Sequence, residues 1–155
     1  MYIVTVLFSR TSNRRKTDII SVMGMFDYFT TDYPLPISSY VPDRYKPYIY
    51  RAINEDEFQT KDLECLMYRY YVDNIGRIFC AKIPLFESDQ EPEYQKVYQH
   101  GHIRIYTMVY LHNDINQFWL EYDLKFTDSL LVQATMVHPT EEEINELYTD
   151  IQENI

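Results

Sequence analysis

The sequence predicts an α+β fold, with a mainly antiparallel sheet of about five strands and helices packed on one face. Three observations carry this expectation. Residues 102–111, 117–126 and 130–137 give strand signals in succession, joined by short polar turns, and short connections imply antiparallel pairing. The middle segment alternates strictly. Phe118, Leu120, Tyr122, Leu124 and Phe126 point one way, while Trp119, Glu121, Asp123 and Lys125 point the other, as in a sheet with one core face and one wet face. Finally, Pro139-Thr140-Glu141-Glu142-Glu143 opens a helix with a capping box, and Ile144, Leu147, Tyr148, Ile151 and Ile155 form its apolar stripe.

The remaining elements follow in order. Residues 2–8 form an apolar, β-branched run that reads as a buried first strand. Thr17-Asp18 can cap a helix carrying Ile19, Val22, Met23, Phe26 and Phe29 at helical spacing, with Gly24 weakening it. From residue 32 to 47, Pro34, Pro36, Pro42 and Pro47 forbid regular structure, because proline lacks an N–H and restricts its predecessor. A loop of this length in a small domain is usually functional or mobile, and its tyrosines either form a binding surface or pack back on the sheet as a satellite cluster. Residues 48–53 suggest a short strand. Asn54-Glu55-Asp56-Glu57 resembles a second capping box, predicting a helix through about Leu66. A competing reading makes residues 68–73 a strand that turns at Asp73-Asn74-Ile75-Gly76 into another at 77–83, with Gly76 as the left-handed residue. Periodicity leaves both open. An acidic, proline-marked loop (87–93) precedes the three-strand run.

A chain of 155 residues fits one domain, 1–155, without repeats or linkers. At 46% hydrophobic and 25% charged residues it is too apolar for disorder. No run approaches the ~18–20 apolar residues of a membrane span, and the first apolar run precedes any basic residue, the reverse of a secretory signal. Cys65 and Cys80 form no CxxC pair and no metal spacing. Free thiols and a cytoplasmic or nuclear setting are expected. A net charge of −10 repels nucleic acid and anionic membranes, and suits a basic partner. The chain has only three Gly but sixteen Tyr. Tyrosine gives stiff, amphipathic contact area and is enriched at binding surfaces.

Recognisable catalytic motifs are missing. There is no GxSxG and no glycine-rich phosphate loop. His100 and His102 share a strand face, but lack a third ligand within reach: His112 lies at the far end of the strand, roughly 30 Å away at ~3.3 Å per residue. No metal and no cofactor are therefore expected. The most unusual segment is the proline loop, whose Tyr33, Tyr40, Asp43, Arg44, Tyr45 and Tyr48 combine aromatic anchors with charge. Arg10, Arg14, Arg15 and Lys16 crowd four of the fourteen basic residues into seven positions, a candidate contact for an anion or an acidic patch. These features favour a non-catalytic protein-binding module, of the kind found among viral accessory proteins, small inhibitors and immunity proteins. Two alternatives compete with it. One is a small enzyme using His100 or His102 with a carboxylate. The other is a structural, self-assembling protein, and homo-oligomerisation is compatible with the sequence.

Overall fold

The computed structural model of the chain describes residues 25–81, 93–111 and 116–153. Its centre is one eight-stranded sheet. The strands are β1 (Asp27–Thr31), β2 (Phe58–Thr60), β3 (Arg69–Val72), β4 (Ile78–Ala81), β5 (Tyr94–Lys96), β6 (Gly101–Tyr110), β7 (Gln117–Thr127) and β8 (Leu130–His138). Helix α1 spans Lys46–Glu55 and helix α2 spans Glu141–Glu153. Across the sheet the order is β5-β4-β3-β1-β2-β6-β7-β8. Every pairing is antiparallel except β1 with β3.

The expected five antiparallel strands with helices on one face are thus corrected to a mixed eight-stranded sheet with two short helices among the described residues. The reasons are local. Phe26 and Phe29 fit helical spacing, but β1 places Phe29 inward beside Asp27 and Thr31 in an extended run. Strands β2 and β5 are three residues each, too short to show a period. Residues 48–53, read as a strand, belong to α1. Pro47 occupies its first turn, where a missing N–H costs nothing, and Tyr45, Ile49 and Ala52 face the core. The segment 54–57 ends that helix instead of starting one, with the Asp56 N–H donating to the Ala52 carbonyl at 3.1 Å. Residues 63–66 are not helical, and Cys65 and Met67 adopt positive φ. The competing reading of 68–81 is the observed one: β3 turns through Asp73–Gly76 into β4, with Gly76 at φ +110°. The expected strand over 2–8, the helix start at 17–24, most of the acidic loop and the turn at 112–115 lie outside the described residues.

The three C-terminal strands and α2 stand where the sequence predicts them. Phe118, Leu120, Tyr122, Leu124 and Phe126 of β7 are all buried, and Ile103, Ile105 and Val109 join them from β6. Thr140 caps α2: the Glu143 N–H donates to Thr140 Oγ1 at 3.2 Å, and Ile144 and Leu147 dock in the core.

Two devices hold the connections. The crossover from β2 to β3 is tied to Asp27, which is fully buried. Its carboxylate accepts the N–H groups of Cys65 (2.7 Å), Leu66 (3.1 Å) and Tyr68 (2.9 Å). The left-handed residues Cys65 and Met67 turn those donors inward, a backbone nest around an anion. The second device closes the sheet on itself. Arg77, at the start of β4, pairs antiparallel with Leu130 of the opposite edge strand, and Leu131 N–H donates to Gly76 C=O at 2.8 Å. The sheet therefore curls around its core until strands near opposite edges touch.

Candidate protein-binding surface

The proline loop is a packed strap. Tyr45 is 3% exposed, its ring edge-on to Phe118 with centroids 6.4 Å apart. Tyr40 donates its hydroxyl to the Pro139 carbonyl at 2.5 Å, fastening the loop to the start of α2. Core residue Tyr122 donates to the Pro36 carbonyl at 2.8 Å. Tyr33, Tyr40 and Tyr48 are half-buried against the core. Of the six residues singled out in this loop, Asp43 and Arg44 are exposed. Asp43 pairs with Lys46 at 2.8 Å, and this hydrogen-bonded pair lowers the Asp43 pKa. Arg44 lies over the Tyr45 ring at 4.9 Å. Tyr45 as a partner anchor is therefore corrected to a core residue, because its ring is enclosed on the inner side of the sheet. Arg10, Arg14, Arg15 and Lys16 fall outside the described residues.

The outer face of β6 and β7 concentrates polar chemistry. Alternation sends His102, Arg104, Tyr106, Met108 and Tyr110 outward from β6. The register sets them against Lys125, Asp123, Glu121, Trp119 and Gln117 of β7 respectively. Arg104 bridges both acids: its Nε donates to Asp123 at 3.0 Å and its Nη1 to Glu121 at 2.8 Å. Glu121, through its hydrogen bond, holds the guanidinium pKa above its ordinary value. Asp62 adds a third carboxylate, accepting the Arg104 N–H at 2.7 Å. His102 Nδ1 lies 2.7 Å from Asp123 Oδ2, while His100 accepts the Asp128 N–H at 3.2 Å. The two histidines thus serve different carboxyl-bearing partners. Among the described residues no group of three or more His, Cys, Asp or Glu is arranged to hold a metal ion.

An aromatic patch begins where this charged ladder ends. Trp119 donates Nε1–H to Glu121 at 3.0 Å and stacks on Tyr106, with centroids 4.9 Å apart and planes 21° from parallel. Strand β2 begins at Phe58 and runs antiparallel to β6, so among the described residues β2 does not extend along the far half of β6, and an open pocket of about 340 Å³ lies beside it. Asp56, Gln59, Tyr106, Met108, Tyr110 and Trp119 line it, with Thr107. His102 and Asp123 do not. Burial pushes the Tyr106 phenol up to about 12, assisted by the nearby Cys65, Asp62 and Glu121. Its hydroxyl is buried with no hydrogen-bond partner.

The sequence reading singles out none of these pocket residues; the alternation of β7 only places Trp119 on its wet row. A tryptophan among Glu121, Asp123 and Lys125 was the available signal. Asp56 was hidden by its resemblance to a helix cap.

The chain matches no protein-family model, no curated protein and no solved structure. No described helix is long and apolar enough to cross a membrane.

Proposed function

We propose that this chain is a non-catalytic protein-binding module that engages its partner through the open pocket on the outer face of β6 and β7. One observation carries the reading: Trp119, Tyr106, Tyr110 and Met108 converge on a pocket of about 340 Å³ at the surface. Tryptophan, tyrosine and methionine are the residue types enriched in interface cores, and binding energy concentrates in a few such anchors. Tyr110 is 49% exposed, leaving its ring available. The enzyme alternative has a short His102–Asp123 pair in its favour, but that pair stands outside the pocket. The self-assembly alternative needs an open strand edge. Strand β5 is only three residues long, and β8 carries register shifts at two places, devices that blunt an edge. The setting we propose is reducing, cytoplasmic or nuclear, in keeping with Cys65 and Cys80 not being joined in a disulfide.

Affinity capture with the immobilised protein tests the reading, using three forms side by side. Proteins retained by the native chain should be lost with Tyr110→Ala and kept with Arg44→Ala. The opposite pattern would return the binding surface to the proline loop. No partner specific to the native chain would sink the proposal.

A further inference from the structure

We infer that the pocket on β6 and β7 receives a cationic side chain, the guanidinium of an arginine or the ammonium of a lysine, from a basic partner. The inference rests on the protein-binding reading and gives it a chemistry. Among the described residues, Asp56 lines the pocket, and while its backbone N–H bonds Ala52, its carboxylate takes part in no hydrogen bond or ion pair. No lysine or arginine is among the lining residues. An uncharged apolar guest would cover that carboxylate without answering it, which costs free energy. A cation placed there meets Asp56 and the aromatic rings of Tyr106, Tyr110 and Trp119 together. Such rings attract cations through their quadrupoles, Trp most strongly.

The surroundings have the same sign. On the adjoining ladder Glu121 and Asp123 share the Arg104 guanidinium, while the Asp62 carboxylate accepts only the Arg104 backbone N–H. On the other side Arg51 reaches the backbone of the lining residue Tyr110. Its guanidinium is already held, over the Tyr48 ring at 5.5 Å and on the Tyr110 carbonyl at 3.1 Å. It shows this surface holding a cation by an aromatic face and an oxygen, while leaving Asp56 unanswered. Trp119 is fixed by its stack on Tyr106 and its hydrogen bond to Glu121, so little is lost in ordering it on binding. An anionic ligand is opposed by all of these carboxylates and by the net charge of −10.

Trp119 is the chain's single tryptophan, so its fluorescence reports the pocket directly. The probes are N-acetyl-arginine methylamide and its lysine counterpart, with the neutral citrulline and norleucine analogues as controls, all at constant ionic strength. The cations should shift Trp119 emission saturably, and the neutral analogues should bind about tenfold more weakly or less well still. Asp56 is exposed, so Asp56→Asn should leave the fold intact. It should bring the cations down to the level of the neutral probes. Equal binding of citrulline and arginine analogues would overturn the inference, as would an emission that no cation changes. The companion capture experiment separates the two readings. Loss of capture in Tyr110→Ala with no cation response sinks the inference alone, whereas retained capture sinks the protein-binding surface as well.

Discussion

Tyr45 illustrates how one side chain can look like a contact and act as core. Its ring packs on Phe118, yet its buried hydroxyl has no hydrogen-bond partner. A buried polar group without a bond is a net cost, so removing the oxygen alone should be harmless. Tyr45→Phe is expected to leave the denaturant midpoint unchanged or slightly raised. Tyr45→Ala should cost about 3–5 kcal/mol, as for other large buried aromatics. An alanine variant of native stability would show that the ring is not part of the core. Tyr71 and Tyr106 make a second residue-scale case. Tyr71 is pushed up to about 12, chiefly by donating to Asp32 at 2.5 Å and then by burial. Tyr106 reaches about 12 through burial. Both folded values exceed the ~10 of an unfolded tyrosine. The fold therefore favours the neutral phenol, and this stabilisation is complete below pH ~10 and lost as pH rises through about 12. In an absorbance titration of phenolate, Tyr71→Phe and Tyr106→Phe should each remove part of the step near pH 12. If the amplitude lost lies near pH 10, the assignment is wrong.

At the scale of elements, the two described helices differ in how they are fixed. Helix α2 has a local start signal that its structure uses: Thr140 caps, and Glu143 accepts from the Thr140 hydroxyl at 3.2 Å and lies 2.6 Å from His138 Nδ1. Helix α1 lacks a side-chain cap. It is held by Tyr45, Ile49 and Ala52 reaching the core, so packing rather than capping sets its position. Strand β8 is unusual as an edge because residues 130–138 contain no acidic residue, lysine, arginine or proline, and Leu130 and Val132 stay exposed at 39% and 46%. Its register shifts opposite Glu121/Tyr122 and Lys125/Phe126 supply the protection that charge would otherwise give, by twisting the edge away from simple pairing. The turn from β3 to β4 is self-contained. Asp73 accepts from the N–H groups of Ile75, Gly76 and Arg77 and from Arg77 Nε. Desolvation pushes the Asp73 pKa upward, but these bonds outweigh it and leave the pKa lowered.

For the whole molecule, the decisive contact is where the sheet meets itself. Gly76 sits at φ +110°, and a Cβ there would lie 2.6 Å from the Leu131 carbonyl oxygen, a backbone atom that cannot swing aside. Gly76→Ala meets two penalties at once, a disfavoured backbone region and a clash across the closure. A loss on the order of 2–4 kcal/mol is expected in denaturant unfolding. A loss below about half a kcal/mol would mean that the β4–β8 contact contributes nothing to stability. The same closure explains how, among the described residues, an eight-stranded sheet surrounds a core with two short helices: the curl lets strands cover the apolar side that helices cover in a flat layer.

Much of this was legible in the residues themselves. The alternation of β7, the capping box of α2 and the Asp73–Gly76 turn are short-range patterns, set by side chains within a few positions of each other. The strand–helix exchange over residues 26–29 and 48–53 was not, because short aromatic runs satisfy either period and only their neighbours decide. Strands β2 and β5 exist because longer partners template them across the sheet. The site divides in the same way. The sequence by itself determined that Trp119 stands on the wet side of its strand among acids. Only the tertiary structure decided that β2 would end beside β6, that Asp56 would arrive at the resulting gap, and that Tyr45 would turn inward. Those outcomes depend on which strands become neighbours, and strand neighbours 40 to 50 residues apart in the chain, as β2 and β6 are, are chosen by the packing of the whole core rather than by any local run.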